Sequence, residues 1–132
     1  MLAPKVIYVI DDDPDDKAVL IRTLEKIDAT IECFTAADGQ EGLLKLDSGT
    51  IPIPNLIFLD LNMPRINGKK VLFELRNNPR FNFIPIIIYT TSSSQKDKDD
   101  AKQLGASDYL VKQIDTSDLK SILTGILSVF MP

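Results

Sequence analysis

The sequence predicts an α/β protein, a doubly wound (βα)5 three-layer sandwich around a five-stranded parallel sheet, and three observations predict it. Short apolar runs alternate five times with longer amphipathic segments. The runs Leu56-Ile57-Phe58-Leu59 and Ile86-Ile87-Ile88-Tyr89 are apolar on both faces, as strands buried inside a parallel sheet are. Polar residues then gather where such runs stop, at Asp11, Asp60, Thr90 and Lys112. Of the strand orders common in such sheets, 2-1-3-4-5 fits this length and is adopted by matching, with right-handed crossovers.

Taken in order, Val6 to Ile10 is the first strand, closed by Asp11, Asp12 and Asp13. Pro14 suits a first helical turn and Asp15 and Asp16 complement its positive end. Ala18, Ile21, Leu24 and Ile27 recur at helical spacing behind them. Thr30 to Ala36 is the second strand, and Asp38-Gly39 introduces a helix carrying Leu43, Leu44 and Leu46. After Gly49, Pro52 and Pro54 comes the central strand ending at Asp60, where Pro64 and Gly68 begin a turn. A third helix carries Val71, Leu72 and Leu75 and stops near Asn77-Asn78-Pro79. Pro85 to Thr90 is the fourth strand. A hydrophilic helix over Lys96 to Leu104 ends at Gly105, a residue suited to a helix C-terminus. Tyr109 to Val111 is a short fifth strand. The last helix shows one apolar stripe of Leu119, Ile122, Leu123, Ile126, Leu127 and Phe130.

Bulk properties limit the function. At 132 residues the chain is expected to form a single domain, residues 1–132, without an output domain. No apolar run approaches membrane-spanning length and the first residues do not resemble a signal peptide, so a cytoplasmic location is expected. The single Cys33 cannot form an internal disulfide and reads as a small buried hydrophobe. With no histidine in the sequence, Ser/His/Asp and Cys/His catalysis, His-ligated metals and phosphohistidine chemistry on this chain are excluded. A net charge of −4 argues against direct nucleic-acid binding.

The strand order makes strands one and three neighbours at the topological switch point, where open α/β sheets bind ligands. Asp11 and Asp12 then stand beside Asp60, with Thr90 on the flanking strand and Lys112 beyond it. Three adjacent carboxylates coexist as anions only if a cation or a proton neutralises part of their charge, and Lys112 supplies a single positive charge. A hard divalent ion with oxygen ligands fits, and Mg²⁺ is the natural candidate. Asp60 could then attack phosphorus as a carboxylate nucleophile, with Thr90 hydrogen-bonding the product.

Four fragments carry a resemblance over Lys5 to Phe130: Ile10-Asp11-Asp12-Asp13-Pro14, Leu59-Asp60-Leu61-Asn62-Met63-Pro64 with Gly68, Pro85 to Thr90, and Gly105-Ala106-Ser107-Asp108-Tyr109-Leu110-Val111-Lys112. In this order and spacing they resemble the receiver domain of bacterial two-component response regulators, and so imply a CheY-like, flavodoxin-like fold. The resemblance implies that Asp60 is the phosphoacceptor. It implies that Asp12, Asp60 and the backbone carbonyl of Asn62 ligate Mg²⁺ directly, with Asp11 contributing through water. Thr90 and Lys112 would bind the phosphoryl group, and Tyr109 would be the switch aromatic that follows Thr90. Thr90-Thr91-Ser92 and the prolines before strand three also resemble small regulators paired with phytochrome-type kinases. One departure is Gln113, where the family usually has a proline, often in cis. A non-proline cis bond costs roughly 3 to 4 kcal/mol, so this peptide is expected to be trans.

The resemblance implies a phosphorylation switch, not a turnover enzyme. A sensor histidine kinase or histidine phosphotransfer protein would supply the phosphoryl group, and the surface of helix four, strand five and helix five would engage an unknown downstream protein or a second copy of the chain. Two other classes share parts of this pattern. Haloacid dehalogenase-type phosphatases also use a strand-end aspartate with Mg²⁺, but need a second Asp where Asn62 stands. A flavodoxin-like module would use the fold, yet the acidic cluster would repel a flavin phosphate. Among neighbouring residues, Asp13, Asp15 and Asp16 read as helix-start charges, and Thr91 to Ser94 as a polar loop. Phe81 and Phe83 read either as packing beneath a loop or as an exposed partner patch.

Overall fold

Parallel strands in the order β2-β1-β3-β4-β5 form the central sheet of the computed structural model, which describes residues 4–112 and 115–132. The elements are β1 (Lys5–Ile10), α1 (Pro14–Ile27), β2 (Ile31–Ala36), α2 (Gly39–Asp47), β3 (Leu56–Leu59), α3 (Gly68–Arg76), β4 (Ile86–Thr90), α4 (Gln95–Leu104), β5 (Asp108–Val111) and α5 (Thr116–Phe130). The predicted order and the alternation of strand and helix are therefore the observed ones. Gln113 lies outside the described residues, and with it the expected trans peptide.

Small boundary shifts have local causes. Thr30 falls outside β2 because its amide and hydroxyl both turn back to Asp28 Oδ1, at 2.9 and 2.6 Å. Pro85 has no N–H to give a strand ladder, although its carbonyl accepts from the Ile57 amide at 3.0 Å. Ser94 caps α4 by accepting from the Asp97 amide, which starts that helix at Gln95. Asp13, Asp38, Asn67 and Asp115 cap the other four helices in the same way. Gly105 adopts φ +103° at the end of α4, the left-handed conformation expected of a glycine there.

Alternation along the strands divides the core in two. Tyr8, Ile10, Ile57, Leu59, Ile86 and Ile88 face α2, α3 and α4, meeting Leu46, Val71, Leu72, Leu75 and Ala101. Ile7, Val9, Leu56, Phe58, Ile87 and Tyr89 face α1 and α5, meeting Leu20, Leu24, Leu119, Leu123, Ile126 and Leu127. Each fully buried Leu, Ile or Phe contributes roughly 1.5 to 3 kcal/mol, so both layers are firmly held. Helix α4 is the exception, because Ala101 is its one buried side chain. The two phenylalanines before β4 part company: Phe81 is packed under the loop and Phe83 is 66% exposed. Cys33 is only partly buried, on edge strand β2, where it packs against the α1 side of the core. Among the described residues, no helix is long and apolar enough to cross a membrane.

Candidate functional site

Register decides what meets at the carboxyl rim of the sheet. Ile10 of β1 pairs with Leu59 of β3, so the next residues, Asp11 and Asp60, emerge side by side. The Asp60 amide donates to the Ile10 carbonyl at 3.0 Å, which fixes the pair one step beyond the ladder. On the other side, Thr90 of β4 pairs with Val111 of β5, and the Lys112 amide donates to the Thr90 carbonyl at 2.8 Å. Four strands thus bring Asp11, Asp60, Thr90 and Lys112 to one edge.

The turn after Asp60 depends on Gly68. A Cβ there would lie 2.1 Å from the Asp60 carbonyl oxygen and 2.6 Å from Leu61 Cα, so only a glycine lets the start of α3 approach this closely. The Gly68 amide donates to the Leu61 carbonyl at 2.9 Å and closes the turn.

Lys112 is the electrostatic centre of the rim. Its Nζ pairs with Asp11 Oδ2 at 2.7 Å and donates to Asp16 Oδ2 at 2.9 Å and Asp60 Oδ2 at 3.2 Å, and its side chain is only 5% exposed. The same nitrogen lies 5.6 Å from the centroid of the Tyr89 ring. Burial works against the ammonium, but the hydrogen bonds to Asp11 and Asp16 and the charge of Asp60 outweigh it and hold Lys112 above the usual lysine range. Asp11 shows the opposite balance. Burial raises its carboxyl to about 6, against the bonds from Lys112 and from the Asp13 amide, and the charge of Asp60 raises it further. Asp11, Asp12, Asp16 and Asp60 outnumber the single ammonium, which therefore does not neutralise the rim.

Carboxylate oxygens of Asp11, Asp12 and Asp60 lie within 4.8 Å of one another, Asp12 being exposed and the other two buried. Three hard oxygen donors converging with surplus negative charge fit a divalent cation. Asn62 lies on the exposed turn just beyond; its amide donates to Asp60 Oδ1 at 3.2 Å. Thr90 is fully buried, and its Oγ1 accepts long contacts of 3.5 Å from Asn62 Nδ2 and the Ser92 amide. Tyr109 is partly buried and directs its hydroxyl to the Ser92 carbonyl at 2.8 Å. All of the sequence-predicted residues thus converge on this edge or on the loop beside it.

Asp16 departs from its reading as a plain helix-start charge. Asp13 is the cap, accepting from the Asp15 and Asp16 amides at 2.9 and 3.1 Å, which leaves the Asp16 carboxylate free to turn inward to Lys112. Asp15 is exposed, as expected. The polar loop after β4 is also more ordered than serine content alone suggests, because Ser92 Oγ donates to Asp97 Oδ2.

Comparison with known proteins agrees with this geometry. A family model described as response regulator receiver domain matches residues 7–124. Response regulator Rcp1 of Synechocystis sp. is 32% identical over 132 residues, covering 97% of this chain and 90% of the relative. The crystal structure of the Mn²⁺-bound form of response regulator Rcp1 superposes with a TM-score of 0.85 at 32% identity, over 95% of this chain and 93% of that one. The phosphorylated cyanobacterial phytochrome response regulator RcpA does so with a TM-score of 0.89 at 28% identity, over 98% and 95%.

Proposed function

This chain belongs to the response regulator receiver domain family, and from that premise we propose that it is a phosphorylation switch whose phosphoacceptor is Asp60. The observation that carries the reading is Asp60 itself, a buried carboxylate at the end of β3 that shares the Lys112 ammonium with Asp11 beside the fully buried Thr90. Neither the phosphatase nor the flavin-module alternative gains support from the family match.

The donor is a phosphohistidine on a sensor histidine kinase or a histidine phosphotransfer protein, since this chain has no histidine. An Asp60 oxygen attacks phosphorus; the new O–P bond forms as the P–N bond breaks, and the imidazole nitrogen keeps the electron pair. Asp11, Asp12, Asp60 and the Asn62 backbone carbonyl would hold a divalent cation, and Mg²⁺ is the one proposed. When bound, that ion offsets carboxylate charge and draws charge off the phosphoryl oxygens. Lys112 would donate to the transferred group, and the Thr90 hydroxyl would donate to one of its oxygens.

Drawing the Thr90 hydroxyl toward the phosphoryl group stretches the long 3.5 Å contacts that its Oγ1 accepts from Asn62 Nδ2 and the Ser92 amide. Ser92 is held by Tyr109 and is linked through Asp97 to Lys69, so the loop and α4 move with it. A pre-existing equilibrium of the α4–β5–α5 surface then shifts toward a downstream protein or a second copy of the chain. The protein works as a switch without turnover of an external substrate, and its acidic balance supports a protein partner over nucleic acid. Intact mass after incubation with acetyl phosphate tests the reading. One added phosphoryl group that needs both Mg²⁺ and Asp60, and is absent in Asp60→Asn, is expected; wild-type protein that gains no mass while binding Mg²⁺ rules it out.

A further inference from the structure

Three carboxylate oxygens lie within 3.2 Å of the Lys112 ammonium, and one of the three, from Asp16, stands outside the Asp11, Asp12, Asp60 group. The consequence concerns competition. A cation entering that group draws on Asp11 and Asp60, two of the three carboxylates that Lys112 holds. A divalent charge on Asp11 and Asp60 would weaken their hold on the ammonium, and a lysine whose side chain is 5% exposed is strongly disfavoured without partners, so lysine and cation compete for the two carboxylates. Asp16 removes that conflict. Its backbone is fixed by the Asp13 cap, and its own side chain is 35% exposed against 3% for Asp11 and 6% for Asp60, so it is the most solvated of the three carboxylates around the lysine.

We propose that Asp16 is a positioning residue for Lys112, the partner the ammonium keeps when a divalent cation takes Asp11 and Asp60 and when Asp60 becomes a phosphoester. Asp16 touches neither the metal nor the phosphoryl group. It holds the lysine buried and aimed at the rim from the α1 side. The inference rests on the receiver reading for its second half, whereas the competition between Lys112 and the cation stands without it.

The test uses Asp16→Asn and Asp16→Glu in the full chain, with Mg²⁺ affinity measured by calorimetry and the rate of acetyl phosphate modification measured at saturating Mg²⁺. Asp16→Asn is expected to weaken Mg²⁺ binding about tenfold, the scale of losing a partner that orients a metal site. It is also expected to slow modification at saturating Mg²⁺, and Asp16→Glu is expected to restore much of both. Mere removal of one negative charge near the site would instead speed reaction with an anionic donor. Mg²⁺ affinity unchanged in Asp16→Asn, or modification as fast as or faster than wild type, would overturn the proposal. A purely structural role would lower the melting temperature and leave the affinity alone, which also overturns it. Wild-type protein that binds Mg²⁺ but gains no phosphoryl group defeats the receiver reading, while the Mg²⁺ titration still decides for or against Asp16.

Discussion

The Tyr109 hydroxyl donates to the Ser92 carbonyl at 2.8 Å, so β5 holds the loop that leaves β4. From Ser92 the contacts continue through Asp97 to Lys69, whose Nζ also reaches Asp100 at 2.9 Å. A continuous polar chain therefore runs from the edge of the site to a helix that buries little more than Ala101. Such a helix is held by directional bonds, which break singly, more than by apolar area.

Tyr109→Phe removes the hydroxyl and little else. The ring keeps its packing against the α4 side of the core, while the Ser92 carbonyl loses its donor. Stability is expected to fall by about 1 kcal/mol, the usual net worth of one such bond. Amides of Ser92, Ser93 and Ser94 are expected to exchange faster with deuterium while those of β1 and β3 do not change. Unchanged exchange in the loop would show that Tyr109 does not hold it.

Lys69→Met cuts the link between α3 and α4. Lys69, with Ser92 second, holds the Asp97 carboxyl down to about 2, against an ordinary value of 3.8. A carboxyl lowered by folding adds stability that is complete above its ordinary value and disappears as pH falls through the lowered one. The stability lost on Lys69→Met is therefore expected to be constant at neutral pH and to shrink between about pH 4 and pH 2. Denaturant unfolding of both proteins across that range checks the window, and α4 amides should exchange several-fold faster in the variant at pH 7. A difference that grows on acidification would contradict the assignment.

The sequence carried the sheet because each buried strand is a plain apolar run and amphipathic segments separate the strands, whereas the caps Asn67, Ser94 and Asp115 were not read from it. The rim followed from the strand order, since the Ile10–Leu59 register alone brings Asp11 to Asp60. Asp16 was not legible. Three acidic residues in four positions look alike as helix-start charges, and which one turns inward depends on the angle at which α1 leaves β1. Phe81 and Phe83 show the same limit: two residues apart in an irregular connection, one is buried and the other exposed, with no period to separate them. The Tyr109 bond to Ser92 joins residues 17 apart through a main-chain carbonyl, to which every residue type contributes equally.

Gly68→Ala tests whether the turn after Asp60 is as tight as it looks. The added methyl would meet main-chain atoms, the Asp60 oxygen at 2.1 Å and Leu61 Cα at 2.6 Å, and neither can move without moving Asp60. A loss of about 1 to 3 kcal/mol is expected, the range for overpacking. Protein that still folds is expected to accept acetyl phosphate more slowly at saturating Mg²⁺, because the nucleophile is displaced. Gly125→Ala is the control: a Cβ on that α5 glycine meets nothing within 4 Å, and this change should raise stability by up to about 1 kcal/mol.

Asp12 separates metal binding from everything else at the rim. It is the exposed member of the carboxylate group, whereas Asp11 and Asp60 are buried and bonded to Lys112. In metal-free buffer Asp12→Asn only relieves repulsion, so its melting temperature should equal or exceed that of the wild type. Mg²⁺ reverses the order. A ligand at a hundred times its dissociation constant stabilises the folded state by about 2.7 kcal/mol, and the wild type should gain on that scale as Mg²⁺ is raised. Asp12→Asn should gain little at the same concentration, so the two melting curves cross as the ion is titrated in. Equal gains would place the ion elsewhere. A variant already less stable without metal would mean that Asp12 supports the fold, and that the acidic group at this rim was not assembled for a cation.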